Sequence, residues 1–103
     1  EDLKKQILHF HSQNKALGAI CAAPLVFGDR GILKDKNATC YPSFEDYLTE
    51  ANITGSKVET SGNIITGKGP GVAIEFALHI VEMFKGVEFA NEIANKMIFN
   101  RST

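Results

Sequence analysis

The sequence predicts a single α/β domain in which helices flank a mostly parallel β-sheet. Segments with strand and helix character alternate along the chain with short connections, the pattern typical of a parallel sheet covered by helices. The first strand candidate, "ALGAI", is apolar throughout, as expected of a strand buried on both faces. The 103 residues, 44% hydrophobic and 22% charged, have the composition of one ordinary globular domain.

Charge and hydropathy exclude two classes of partner. The net charge is -1, so no excess of Lys and Arg is present to neutralise a nucleic acid backbone or an anionic membrane surface. The apolar runs are a handful of residues long, well short of the ~20 residues that cross a bilayer. We therefore expect a soluble protein that binds neither nucleic acid nor membrane.

The two cysteines, Cys21 and Cys40, are too few for a disulfide scaffold, and their spacing matches no paired metal-binding motif. This usage fits a reducing, cytoplasmic compartment. Nothing in the sequence calls for a metal ion or another cofactor.

The first half of the chain reads as helix, strand, helix, strand, helix. An amphipathic helix is predicted from Asp2 to Gln13, with Leu3, Ile7 and Phe10 on its buried face. The strand "ALGAI" leads through Cys21 into a short helix in "AAPLVFGDRG". A second strand is predicted in "KNATCYP", and "SFEDYL" has the serine and acidic first turn of a helix start.

The second half begins with two short strands, 57–60 and 64–66, around the hairpin turn "SGN". After "GKGPG", two helices are predicted, in "VAIEFALHIVEMFKG" and "VEFANEIANKMIF". The total of about four strands is below the ~5 to 6 of an average sheet, which predicts half a domain.

The faces of the last two helices are also predicted from helical spacing. Core packing is expected of one stripe on the last helix: Phe89, Ala90, Ile93 and Met97. On the preceding helix, an edge separate from the Ile74, Ala77 and Val81 stripe is available to the absent half or a partner chain: Phe76, Ile80 and Met83. The polar, surface face of that helix is expected to hold His79, Glu75 and Glu82.

Cys21 stands where a strand passes directly into a helix. On such a turn the side chain projects from the sheet toward the first N–H groups of the helix, whose positive end stabilises a thiolate. The N–H of Ala22 could then help to hold an oxyanion. The alternative interpretation is that Cys21 is a small buried hydrophobic residue.

Three blocks, "AICAAP", "ATCYPSFED" and "GNIITGKGPGVAIEFALHIVE", resemble the ThiJ/PfpI family, a superfamily that includes the human parkinsonism-associated protein. The resemblance runs from about Lys15 to Phe99. It implies a flavodoxin-like three-layer sandwich, a homodimer and a reactive cysteine at Cys21. Family members are nearly twice as long, so residues 1–103 resemble the C-terminal half of a single domain. The absent N-terminal half would supply the acidic residue that hydrogen-bonds the cysteine.

The resemblance also implies further pocket residues. Tyr41 stands where several catalytic members have a histidine, and a phenol is a poor proton acceptor at neutral pH, which weakens a cysteine–histidine mechanism. The turn at Gly69, Pro70 and Gly71 borders the family's pocket. A nucleotide site in "GNIITGKG" is not favoured, because Gly69 occupies the position of the metal-binding hydroxyl.

Neither the histidines nor Cys40 complete a site in this sequence. His9 and His11 are two residues apart on a helix and face nearly opposite ways. Cys40 neighbours Tyr41 on one strand, so we expect Cys40 to face the core and not to form a redox pair with Cys21.

Two functions remain open at this point. The first is an enzyme whose intact form acts on small reactive carbonyl compounds, as a glyoxalase or deglycase, with Cys21 as the nucleophile. The second is an oxidant-sensing or chaperone-like stress protein whose cysteine oxidises reversibly. Members of this subgroup often carry a thiamin biosynthesis label, but nothing in these residues indicates a site for a thiazole or a phosphate. The isolated half would be inactive, and its cut sheet edge would favour an oligomer.

Overall fold

The computed structural model describes residues 2–101 as four α-helices and five β-strands. The helices are α1 (Asp2–Ser12), α2 (Pro24–Asp29), α3 (Ala73–Lys85) and α4 (Val87–Lys96). The strands are β1 (Leu17–Ile20), β2 (Asn37–Ala38), β3 (Asn52–Ile53), β4 (Val58–Ser61) and β5 (Ile64–Gly67). Helices and strands alternate as predicted from α1 to β2, whereas β2, β3, β4 and β5 follow one another without an α-helix between them, and α3 and α4 are consecutive.

The main sheet has the strand order β1-β5-β4. β1 runs parallel to β5, with Leu17 opposite Ile64 and Ile20 opposite Gly67. β4 and β5 form the predicted antiparallel hairpin, and its turn contains Gly62 at a φ of 62°. Only a residue without a Cβ adopts such a φ without steric cost, which explains the glycine here.

Helices cover both faces of this sheet. Successive strand residues point to opposite sides, so each strand has side chains that face helices on either side. Ala19 and Ile64 belong to the core cluster that also contains Ile7 of α1 and Phe27 of α2. On the other face, Phe76 of α3 packs against Gly18, where an added Cβ would stand 3.3 Å from its ring, and α4 packs outside α3.

A second, two-stranded sheet pairs β2 in parallel with β3. β3 was not predicted, because a two-residue strand has too few residues to show a period. The backbone N–H that follows β2, on Thr39, donates a 3.0 Å hydrogen bond to Thr66 Oγ1 in β5. This buried bond joins the small sheet to the main one.

The helix predicted in "SFEDYL" is wrong, since only a single 3-10 turn forms at Glu45–Tyr47. Ser43 has a φ of 87°, outside the range of a helix N-cap, and its N–H donates to Glu45 Oε1 at 2.9 Å. The backbone of this turn also lies so close to Gly28 of α2 that a Cβ there would overlap Tyr47. Close packing fixes the turn where local sequence predicted a longer helix.

Three predicted helix faces need correction. In α1 only Ile7 is buried, while Leu3 is 63% exposed and Phe10 is also exposed. In α4 the buried residues are Ala90 and Ala94, whereas two members of the predicted stripe are exposed: Phe89 and Met97. In α3 the polar arc is not a surface face throughout, because Glu75 is only 6% exposed.

No helix among the described residues is long and apolar enough to span a membrane.

Candidate functional site

The candidate site lies at the carboxyl ends of β1 and β5, which meet at one edge of the sheet because the two strands are parallel. Cys21 directly follows β1, and Gly67 is the last residue of β5. The segment that follows β2 reaches the same place, since Tyr41 hydrogen-bonds to Cys21. The carboxyl edge of a parallel sheet is where such folds usually bind ligands.

The backbone of Cys21 is fixed in an unusual conformation. Its φ of 63° lies in the left-handed region, which costs a residue with a Cβ roughly 1–2 kcal/mol. Its N–H donates to the Gly67 carbonyl at 3.0 Å, and its carbonyl accepts from the Tyr41 N–H at 2.8 Å. Both polar backbone groups of Cys21 are therefore held, which maintains the sharp strand-to-helix turn that the sequence predicts.

One donor on this turn is available to a ligand. Ala23 N–H bonds to the Ile20 carbonyl at 3.2 Å, and Pro24, the first residue of α2, has no N–H. Within residues 2–101, the N–H of Ala22 has no hydrogen-bond acceptor. This donor directly follows the half-buried Cys21.

Tyr41 and Gly69 form a second part of the site. A Cβ added to Gly69 would stand 3.6 Å from the Tyr41 ring, an ordinary van der Waals distance, so the turn after β5 lies beside the aromatic side chain. The Tyr41 side chain is 47% exposed. Pro70 and Gly71 continue from Gly69 as an exposed 3-10 turn that leads into α3. Backbone bonds and this ring contact bring Cys21, Tyr41 and Gly69 together.

Cys40 has a different environment, although it precedes Tyr41 directly. It is 3% exposed and belongs to the core cluster. Burial raises the pKa of the Cys40 thiol, and the negative charge of Glu45 adds to the rise. Cys40 therefore faces the core as predicted and is held in the neutral form.

None of the three histidines takes part in the contacts that hold Cys21. His79 lies on α3, where its Nδ1 is 2.8 Å from the Glu75 carbonyl oxygen and 3.9 Å from Glu75 Oε2. His9 and His11 lie on α1. Across residues 2–101, no group of three or more His, Cys, Asp or Glu side chains could hold a metal ion.

Gly67 was not predicted to belong to the site, but it contacts Cys21 directly. Its carbonyl accepts from Cys21, and an added Cβ would lie 2.9 Å from Phe76 and 3.0 Å from Ile20. A larger residue would therefore clash with the side chains of Phe76 and Ile20, which would have to shift. The signal available in the sequence was a glycine that ends a β-branched strand, which often marks close backbone approach.

Comparison with known proteins gives a consistent assignment. The model of the DJ-1/PfpI family matches residues 1–83. Protein DJ-1 homolog B of Arabidopsis thaliana is 48% identical over 84% of this chain, which spans 19% of that relative. Glutathione-independent glyoxalase DJR-1.2 of Caenorhabditis elegans is 42% identical over 75% of this chain, which spans 42% of that protein.

Solved structures show the same fold. Drosophila melanogaster DJ-1beta matches 94% of this chain with a TM-score of 0.82 and 34% identity, and oxidised Toxoplasma gondii DJ-1 matches 94% with a TM-score of 0.83 and 33% identity. In both cases this chain spans 53% of the matched structure. The fold is therefore the flavodoxin-like α/β sandwich of these proteins, present here with a partial sheet, and the chain belongs to the DJ-1/PfpI family.

Proposed function

We propose that this chain is the C-terminal half of a single domain whose intact form acts on small reactive carbonyl compounds through Cys21. The observation that carries the proposal is the conformation of Cys21, a half-buried thiol at a φ of 63° with both backbone polar groups bonded. The relative named a glutathione-independent glyoxalase supports the substrate class. Cytoplasmic location and homodimerisation belong to the same proposal.

The first chemical step is covalent addition. The Cys21 thiolate forms an Sγ–C bond to the aldehyde carbon, and the electron pair of the C=O bond moves to oxygen. The N–H of Ala22, which has no other acceptor in the part described, donates to that oxyanion. Tyr41, Gly69, Pro70 and Gly71 shape the pocket. Later proton transfers need a carboxyl group, which we assign to the other half of the domain.

A second candidate is a redox sensor, favoured by the half-buried state of Cys21 and by the oxidised state named for the Toxoplasma gondii relative. Here the Cys21 thiolate would take an oxygen atom from hydrogen peroxide, whose O–O bond breaks with loss of hydroxide, and thiols would reduce the resulting sulfenic acid, without real turnover. Both candidates need an accessible thiol, but only the first needs an oxyanion donor.

Methylglyoxal consumption by the full-length protein separates the two candidates. We expect turnover by the full-length protein, loss of turnover in Cys21→Ser, and retained turnover in Cys40→Ala, because Cys40 faces the core. No turnover, together with ready oxidation of Cys21 to a sulfenic acid that thiols reverse, would contradict the enzyme and leave the sensor. Residues 1–103 alone should be inactive.

A further inference from the structure

The aromatic ring of Phe76 in α3 lies across two neighbouring strands of the main sheet. A Cβ added to Gly18 of β1 would stand 3.3 Å from Phe76 Cζ, and a Cβ added to Gly67 of β5 would stand 2.9 Å from Phe76 Cδ1. Two parts of one ring therefore meet two strands, at positions where every residue except glycine carries a Cβ. Gly18 and Gly67 together form the seat of this ring.

The register of the sheet creates the space for the ring. Gly18 lies opposite Ile65 on the neighbouring strand. Two residues further along, Ile20 lies opposite Gly67. Because alternate residues of a strand point to the same side of the sheet, all four residues belong to the side that faces α3. Glycine and isoleucine therefore alternate diagonally across the two strands, and the ring fills the room that the glycines leave.

The seat of the ring adjoins Cys21. Gly67 is buried, and its carbonyl accepts the hydrogen bond from the Cys21 N–H at 3.0 Å. Ile20, which is peptide-bonded to Cys21, also packs on Gly67, since an added Cβ there would stand 3.0 Å from Ile20 Cγ1. The residue that holds the Cys21 N–H is therefore in close contact with the ring of Phe76 and with the side chain that precedes Cys21.

The conformation of Cys21 depends on such contacts. Its φ of 63° has a steric cost for a residue with a Cβ, and a conformation of this kind persists only where the surroundings fix it. The hydrogen bond to Gly67 fixes Cys21 only as far as the end of β5 is itself held in place. The rigid ring of Phe76, in close contact with Gly67, limits the movement of this strand end.

We propose that Phe76 is a positioning residue for Cys21, which holds the end of β5 in place through Gly67. The proposal rests on the proposed function, in which Cys21 is the nucleophile. Phe76 orients the nucleophile and takes no part in bond formation. The alternative is that the ring contributes packing alone, which would change the stability of the fold but not the rate at which Cys21 attacks a carbonyl carbon.

Amide hydrogen exchange in the full-length protein tests the structural step. Phe76→Leu removes the rigid ring but keeps an apolar side chain, and should speed exchange of the Cys21 N–H by about tenfold or more. The Leu17 N–H, which donates to the Asn63 carbonyl at 2.9 Å at the other end of β1, is the internal control and should keep its exchange rate. Phe89→Leu makes the same change on α4 and should alter neither rate. Unchanged exchange at Cys21, or equal acceleration at Leu17, overturns the proposal.

Methylglyoxal turnover by the same variants tests the effect on the chemistry. In Phe76→Leu we expect kcat to fall by about tenfold and KM to stay within about twofold, because a misplaced nucleophile slows bond formation while the pocket residues are unchanged. Phe89→Leu should keep both constants. A change in KM alone, or wild-type values of both constants in Phe76→Leu, would show that the ring only packs.

Gly67→Ala disturbs the same contact from the strand. The added methyl group crowds Phe76 without removing any apolar side chain, so it tests the proposal even where Phe76→Leu does not fold. We expect the same fall in kcat and the same faster exchange at Cys21. Adding Phe76→Leu to Gly67→Ala should recover kcat by about threefold or more, because the smaller side chain leaves room for the methyl group. Additive losses in kcat would mean that the two residues act separately, against the proposal.

The two readouts distinguish a failure of this proposal from a failure of the proposed function. If the unchanged full-length protein does not consume methylglyoxal, the proposed function fails, and exchange at Cys21 in Phe76→Leu still decides whether the ring positions the turn. If the unchanged protein turns over methylglyoxal and Phe76→Leu matches it in kcat and in exchange at Cys21, the positioning role fails and the proposed function stands.

Discussion

The two cysteines lie in two different environments. Cys21 is half-buried on a left-handed turn at the edge of the sheet, while Cys40 is 3% exposed within the core. The Tyr41 N–H bonds to the Cys21 carbonyl at 2.8 Å, so the segment that contains Cys40 also holds the turn of Cys21. Neighbouring backbone and burial, and not residue type, decide which thiol can meet a ligand.

The largest expected difference between the two cysteines is in their rates of alkylation. With iodoacetamide under native conditions, Cys21 should react about a hundredfold faster than Cys40, because Cys40 reacts only after a local opening of roughly 3 kcal/mol. Intact mass and peptide mapping over time measure both rates. In concentrated denaturant the two rates should become similar. Equal native rates would show that the core around Cys40 opens freely.

Serine substitution should destabilise the fold more at Cys40 than at Cys21. Cys40→Ser places a hydroxyl among apolar neighbours and should lower the free energy of unfolding by about 1–3 kcal/mol. Cys21→Ser changes a half-buried side chain on the surface and should cost less than about 1 kcal/mol. Urea unfolding of the two variants measures the difference, and an equal loss at both positions would contradict the contrast in burial.

The smallest expected effect is a pH dependence that arises from Cys40. Its pKa is raised in the folded chain above the ordinary value of 9.0, so the neutral thiol is favoured by folding. The corresponding stability is fully present below pH 9.0 and is lost as the pH rises through the raised pKa. When urea unfolding is measured from pH 8 upward, the free energy of unfolding of Cys40→Ala should therefore fall less steeply with pH than that of the unchanged chain. Cys21→Ala is the matched control, and an identical slope in Cys40→Ala would exclude this origin.

Patterns that repeat along the chain predicted the fold well. The apolar run of β1, the Gly62 hairpin and the periodic helices α3 and α4 were all readable, because each is long enough or has a specific turn residue to show its period. The 3-10 turn at Glu45–Tyr47 was not predicted, because packing against α2 determines it. The two-residue strand β3 was not predicted, because pairing with β2 determines it.

Parts of the candidate site were predictable in the same sense. The position of Cys21 between a strand and a helix indicated the turn, and the alternation along "TCYP" placed Cys40 and Tyr41 on opposite sides. Gly67 was missed, because its role depends on Phe76 and Ile20, which are distant in sequence or lie on another strand. The burial of Glu75 was missed because helical spacing shows which residues share a face but not what covers it.

The sequence by itself determined the α/β class, the family and the order of nearly all the elements, because periodicity, turn residues and recognisable motifs are local properties of the chain. Only the tertiary structure decided the left-handed conformation of Cys21, the contact of Tyr41 with Gly69 and the open side of β1. These features depend on hydrogen bonds and packing between segments that are distant in sequence, and no local pattern records such contacts.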